Sequence, residues 1–180
     1  MRYLLIKLSL ISFIFLNTNE PKTENWYFFG GGGLATSTEI CSGCIANSYD
    51  MVFFWHYNKN SLYGFGITGK SETEDYLLAE QNIIKQLNLH IPSLNFIHYI
   101  NDFGSGMFLR LGIGVANTHY IEKINDEIIY ENKSKKGLGY VISYGFSLDF
   151  WGKSRYMFSM QYGNSTVSHD YISFVFTGLW

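Results

Sequence analysis

Residues 64–71 read GFGITGKS, which fits G-x-x-x-x-G-K-[ST], the loop that cradles phosphates in nucleotide hydrolases. If the match were genuine the chain would be an α/β protein, with a buried strand before the loop and a helix after it. A helix is compatible with the next residues, because Ser71-Glu-Thr-Glu74 can form a capping box ahead of Tyr76-Leu-Leu-Ala79. The preceding stretch is not a buried strand: Asn58-Lys-Asn-Ser-Leu-Tyr63 is mostly a tight turn. Strict alternation accounts for the segment more simply. Tyr63, Phe65 and Ile67 take one face, Gly64, Gly66 and Thr68 take the other, and Lys70 and Ser71 open a loop. On this reading the segment is a strand and binds no nucleotide.

The same alternation recurs along the chain. In 106–118, Met107, Leu109, Leu111, Ile113 and Val115 oppose Phe108, Arg110, Gly112, Gly114 and Ala116. In 137–151, an apolar and aromatic set from Leu138 to Phe150 opposes the mostly small set Gly139, Val141, Ser143, Gly145, Ser147 and Asp149. Eight such runs are expected: 26–36, 48–57, 62–69, 87–100, 106–118, 137–151, 155–163 and 170–180. In 87–100 the apolar phase moves from Leu87, Leu89 and Ile91 to Leu94 and Phe96, which predicts a bulge or edge-like defect at Pro92. Short connectors at 58–61, 101–105 and 152–154 alternate with longer polar ones at 37–47, 70–86, 119–136 and 164–169. Membrane barrels segregate their connectors in this way, with short turns at one end and longer loops at the other.

Composition agrees. The 180 residues are 18% aromatic and 16% charged, against roughly 25% charged in soluble domains. Eighteen glycines and a net charge of −2 complete a pattern that suits a β-protein with one face in lipid and gives no pull toward nucleic acid. The expected fold is therefore all-β: an eight-stranded antiparallel up-and-down transmembrane barrel over 26–180, whose narrow interior is filled by small side chains. Residues 1–19 read as a signal peptide, with basic Arg2 and Lys7, the apolar run Leu8–Leu16 and a polar exit. There is no A-x-A cleavage site, and an uncleaved N-terminal anchor is the alternative.

Four tryptophans fall at equivalent strand ends. Trp26, Trp55, Trp151 and Trp180 are expected to form an aromatic girdle at the periplasmic rim, with both chain ends in the periplasm. Cys41 and Cys44 read as a small loop disulfide in an exported chain, since no second cysteine pair supports a zinc site and no helix pattern supports a redox motif. Arg110 and Asp149, both on small-residue faces, are expected to pair inside the barrel. Five scattered histidines show no metal-ligand spacing, so neither a metal nor a cofactor is expected.

The last ten residues, YISFVFTGLW, place Ile172, Phe174, Phe176 and Trp180 in alternation and end on an aromatic. This resembles the C-terminal strand signal of bacterial outer-membrane proteins, which implies recognition by the outer-membrane assembly machinery. Leu89–Tyr99 resembles the fourth-strand segment of small outer-membrane β-barrel domain proteins of the OmpA/OmpX type. The resemblance implies a barrel in the bacterial outer membrane, in contact with outer-membrane lipid. Because the strands offer no nucleophile–base pair, the expected protein is a non-enzymatic monomer whose longer loops, 119–136 the largest, meet a surface partner or serve envelope integrity. The alternative is a lipid A-modifying acyl hydrolase. The lipid A 3-O-deacylases carry His-x-Ser-Asn on a late strand, but here Gln161-Tyr-Gly-Asn164 has Gln161 in place of the base and Gly163 in place of the nucleophile.

Overall fold

The computed structural model describes residues 26–36, 40, 45–58, 60–78, 80–100, 106–150 and 154–179. They form eight strands: β1 (Trp26–Thr36), β2 (Ile45–Asn58), β3 (Ser61–Leu78), β4 (Gln81–Tyr99), β5 (Gly106–Ile124), β6 (Glu127–Phe150), β7 (Ser154–Ser165) and β8 (Ser168–Leu179). Each strand pairs antiparallel with its sequence neighbour, and β1 pairs with β8 to close the barrel. The expected architecture is the one observed, and GFGITGKS lies within β3.

Parity decides which face each side chain takes. Met107, Leu109, Leu111, Ile113 and Val115 are 43–52% exposed on the outer wall, whereas Phe108 and Arg110 are 1% and 3% exposed inside. The apolar outer band continues through Tyr63, Phe65 and Ile67 on β3 and Tyr144, Phe146 and Leu148 on β6. It ends at a ring of polar residues. Asn47 pairs in register with Ser71, Ser71 with Asn88 and Asn88 with His119. Lys136 lies across from Asn117. Ser71 Oγ donates to Asn88 Oδ1 at 2.7 Å, so this ring satisfies part of its own polarity.

The interior is layered. Near the rim that holds the start of β1 and the end of β8, Phe29, Val52, Phe54, Leu62, Ile97, Tyr99, Phe108 and Met157 form a sealed apolar plug. Toward the opposite rim, a second cluster joins Leu89, Ile91, Val141 and Tyr171 with three alanines. Between the two clusters lies a polar layer.

Three expectations change. The connectors 70–86 and 119–136 are not loops. β3 and β4 stay paired as far as Leu78 and Gln81, and β5 and β6 continue to a turn at Asn125–Asp126, where positive φ values of 47° and 67° suit the short Asx side chains. The connector 164–169 is likewise a tight turn at Thr166–Val167. Finally, Pro92 causes no register shift. His90 pairs with Asn117 and Ser93 with Gly114 in one frame, and only the ladder to β5 is interrupted between them. The apolar phase changes because Leu87, Leu89 and Ile91 point inward, the last two into the upper cluster, while Leu94 and Phe96 point outward to the band. A sequence pattern alone does not distinguish that switch from a bulge.

Candidate functional site: a buried polar layer and a projecting sheet

Arg110 is the centre of the polar layer. Its guanidinium grips the Asp50 carboxylate with both Nη atoms, the second at 3.0 Å from Asp50 Oδ1. Nη2 also donates to Thr68 Oγ1 at 3.0 Å, and Nε donates to Asn95 Oδ1 at 2.9 Å. Thr68 Oγ1 donates to Asp50 Oδ1 at 2.8 Å, and Gln161 Nε2 donates to Asp50 Oδ2 at 3.0 Å. All five residues are buried. The forked geometry satisfies a charge that a narrow barrel could not hold unpaired.

This corrects the expected partner. Arg110 faces Ser143 across the β5–β6 ladder, and Asp149 sits six positions further along β6, opposite Arg155. Six positions along a strand amount to about 20 Å. Asp50 lies on the far wall of the barrel from Arg110, and nothing in linear sequence marks the two as partners. Its only sequence signal is its place between Ser48 and Val52 on the inward parity of β2.

Lys70, expected to open an outer loop, is instead fully buried, with Nζ 2.5 Å from Glu72 Oε1. Glu72 Oε2 also accepts the Ile40 N–H at 3.2 Å, and Lys70 Nζ sits 5.5 Å from the Tyr171 ring centre. The residue that a phosphate loop would aim at a nucleotide is therefore engaged inside the barrel, and β3 runs on where such a loop would open a helix.

The residues of the acyl-hydrolase comparison also have structural neighbours. Gln161 holds Asp50, and a Cβ added at Gly163 would lie 2.3 Å from ring carbons of Tyr171. Asn164 Nδ2 donates to Tyr162 OH at 3.2 Å, and Ser165 Oγ donates to Ser168 O at 3.4 Å within the β7–β8 turn. A serine and a histidine do meet elsewhere: Ser61 Oγ lies 2.9 Å from His98 Nδ1. That pair is at the chain-end rim, and Ser61 is 2% exposed, so no bulky substrate reaches its hydroxyl.

Trp26 and Trp55 face each other across β1 and β2 at the chain-end rim, and Trp55 stacks on Tyr63 at 6.2 Å. Trp151, Trp180, Cys41 and Cys44 lie outside the described residues. In β8, Ile172 and Phe174 are 45% and 67% exposed on the outer wall, and Phe176 stacks on Tyr156 at 5.4 Å.

Among the described residues, only four strands continue beyond the polar ring. β3 to β6 have 18, 19, 19 and 24 residues against 11, 14, 12 and 12 for β1, β2, β7 and β8. A four-stranded sheet therefore stands above one side of the barrel mouth. Its inner face carries Tyr76, Tyr120 and Tyr130, with Lys85 in register between Glu74 and Glu122. Lys85 Nζ lies 5.2 Å from the Tyr76 ring centre, and the Tyr120 and Tyr130 rings are 6.0 Å apart. Contact with Tyr76 raises the Lys85 pKa, so this lysine stays charged. At the root of the sheet, Leu87, Thr118, Tyr120, Asn132, Lys135 and Val167 line a recess of about 140 Å³.

No protein-family model and no curated protein sequence matches the chain. Solved structures do. The attachment invasion locus protein Ail of Yersinia pestis, crystallised with the heparin analogue sucrose octasulfate, superposes with a TM-score of 0.56 at 9% identity, covering 87% of this chain and 97% of that one. Neisserial surface protein A (NspA) gives 0.52 at 9% identity, covering 87% and 96%. The N-terminal β-barrel domain of Pseudomonas aeruginosa OprF gives 0.51 at 12%, covering 87% and 98%. The fold is that of the small eight-stranded outer-membrane barrels.

Proposed function

We propose that this protein is a non-enzymatic barrel of the bacterial outer membrane, with both chain ends in the periplasm, that works by presenting its projecting sheet to a partner at the cell surface. The observation that carries this reading is the four-stranded wall beyond the polar ring. Among the described residues, β3 to β6 continue past the polar ring, and β1, β2, β7 and β8 do not. A barrel needed only to seal the membrane has no use for strands extended in this way. Residues 1–19 serve as the export signal, and the alternating end Ile172, Phe174, Phe176 and Trp180 serves as the assembly signal. Trp26, Trp55, Trp151 and Trp180 anchor the periplasmic headgroup level. The barrel acts as a monomer in contact with outer-membrane lipid. The likeness to Ail, an attachment invasion locus protein crystallised with a heparin analogue, supports a surface-binding role.

The test compares the intact protein in lipid nanodiscs with a variant whose residues 119–136 are replaced by a short Gly/Ser turn. Both are applied to an array of glycans and extracellular matrix proteins. The intact protein should bind at least one class, and the shortened one should not. Absence of binding by the intact protein, together with detergent sensitivity in cells lacking the gene, would assign the barrel to envelope integrity instead.

A further inference from the structure

The tip of the projecting sheet is apolar where no lipid covers it. Leu77 and Leu78, at the β3–β4 turn, are 75% and 59% exposed. Ile128, Ile129 and Tyr130, at the neighbouring β5–β6 turn, are 57%, 53% and 50% exposed. Similar exposure on Ile67 or Leu111 belongs to the outer band, where lipid satisfies it. Leu77 instead lies six positions beyond Ser71 of the polar ring. That is about 20 Å along the strand, or roughly 15 Å above the ring at the usual strand tilt. The two hairpins are adjacent, with Ile83 paired to Ile124, and their apolar ends lie on the two edge strands of the projecting sheet: Leu77 and Leu78 on β3, and Ile128, Ile129 and Tyr130 on β6, about 14 Å apart across β4 and β5. Large apolar side chains exposed to water on either side of acidic turns mark a contact site.

Charge selects the occupant. Residues 74–85 and 122–131 contain seven carboxylates against two lysines, Lys85 and Lys123, a net charge of −5. The compensating Lys133, Lys135 and Lys136 sit lower, toward the polar ring. Resting on the surface-binding reading above, we infer that Leu77, Leu78, Ile128, Ile129 and Tyr130 form a docking surface for a protein segment that is both apolar and cationic. A lipid surface fits less well, because Glu80 and Asp126 in the turns, with Glu127 next to them, would enter the headgroups first. A second copy would bring another strongly negative tip against this one.

The probe is a fluorescent amphipathic peptide of Leu and Lys, titrated by anisotropy against the full-length protein in zwitterionic nanodiscs, with empty nanodiscs subtracted. Peptides of Leu and Glu and of Ser and Lys are the controls. The Leu/Lys peptide should bind and weaken in high salt, and neither control should bind. Replacing Leu77, Leu78, Ile128 and Ile129 together by Ser should weaken binding about tenfold or more, with heat-modifiable gel migration unchanged. A second variant, Asp126→Lys with Glu127→Lys, should weaken the Leu/Lys peptide and admit the Leu/Glu peptide. Equal binding by the tip variants, or by Leu/Glu and Leu/Lys peptides, overturns the inference. So does tip-dependent dimerisation in ultracentrifugation or tip-dependent capture of phosphatidylcholine vesicles, which would give the tip to a second copy or to lipid. If this inference fails while array binding still requires residues 119–136, surface binding stands and only the partner class is wrong.

Discussion

Single residues in the interior separate what holds the barrel from what it does. Arg110 and Asp50 are both almost fully buried, and each makes several bonds that only the other's charge justifies. Removing one partner of such a pair costs about 3–5 kcal/mol, because an uncompensated charge is left in a low dielectric. Arg110→Ala and Asp50→Ala should each lower unfolding free energy by that order in urea titrations in lipid vesicles. The double variant should lose much less than the sum, whereas Asp149→Ala should simply add to Arg110→Ala. Gly163 gives a second residue-level prediction. A methyl group there would meet the Tyr171 ring at 2.3 Å, and Tyr171 is itself buried. Gly163→Ala should cost about 1–3 kcal/mol by overpacking, and Tyr171→Leu should relieve part of that loss in the same assay. Lys70→Ala should destabilise by stranding Glu72, and calorimetry with Mg-ATP should show no binding to the parent protein.

At the scale of elements, the β5–β6 hairpin is long, and its register shifts between Asn117 and His119 and again between Glu122 and Lys123. Its reversal rests on two left-handed residues, Asn125 and Asp126. Asn125 Oδ1 also accepts the Asn82 N–H at 2.9 Å, and the Asn125 N–H donates to Asn82 O, so this turn is tied to the neighbouring hairpin. A β-branched side chain at positive φ costs about 1–2 kcal/mol. Asp126→Val should therefore loosen the tips of both hairpins, seen as faster amide exchange at 82–84 and 122–128, without altering exchange in the barrel wall. Asp126→Gly should keep the protection of the parent.

The whole molecule is a closed wall around a filled interior. The apolar plug at the chain-end rim seals beneath the Asp50–Arg110 layer, and a second apolar cluster lies above it. The protein should show β-type circular dichroism and heat-modifiable migration in detergent, and it should give no porin-sized conductance steps in planar bilayers. Lipid A from cells with and without the protein should be identical by mass spectrometry. A change in acyl chain number would contradict the non-enzymatic reading.

The period-2 alternation that recurs in eight runs by itself determined the number of strands and, in 62–69, 106–118 and 137–151, which side chains face outward, because a strand can place its side chains only on two sides; strand order was read from the connectors between the runs. It also marked Arg110 as an interior charge. The partner of Arg110 was illegible because Asp50 is 60 residues away, and only closure of the barrel brings β2 across from β5. The same limit hid Lys70. Its polar surroundings in sequence read as a loop, yet β3 stays paired with β4 to Leu78, and the inward parity that buries Thr68 also buries Lys70 and Glu72. The projecting sheet belongs to the tertiary structure for the same reason. Polar residues at 70–86 and 119–136 carry little apolar alternation of their own, and they become strands because each hairpin has a paired neighbour to continue.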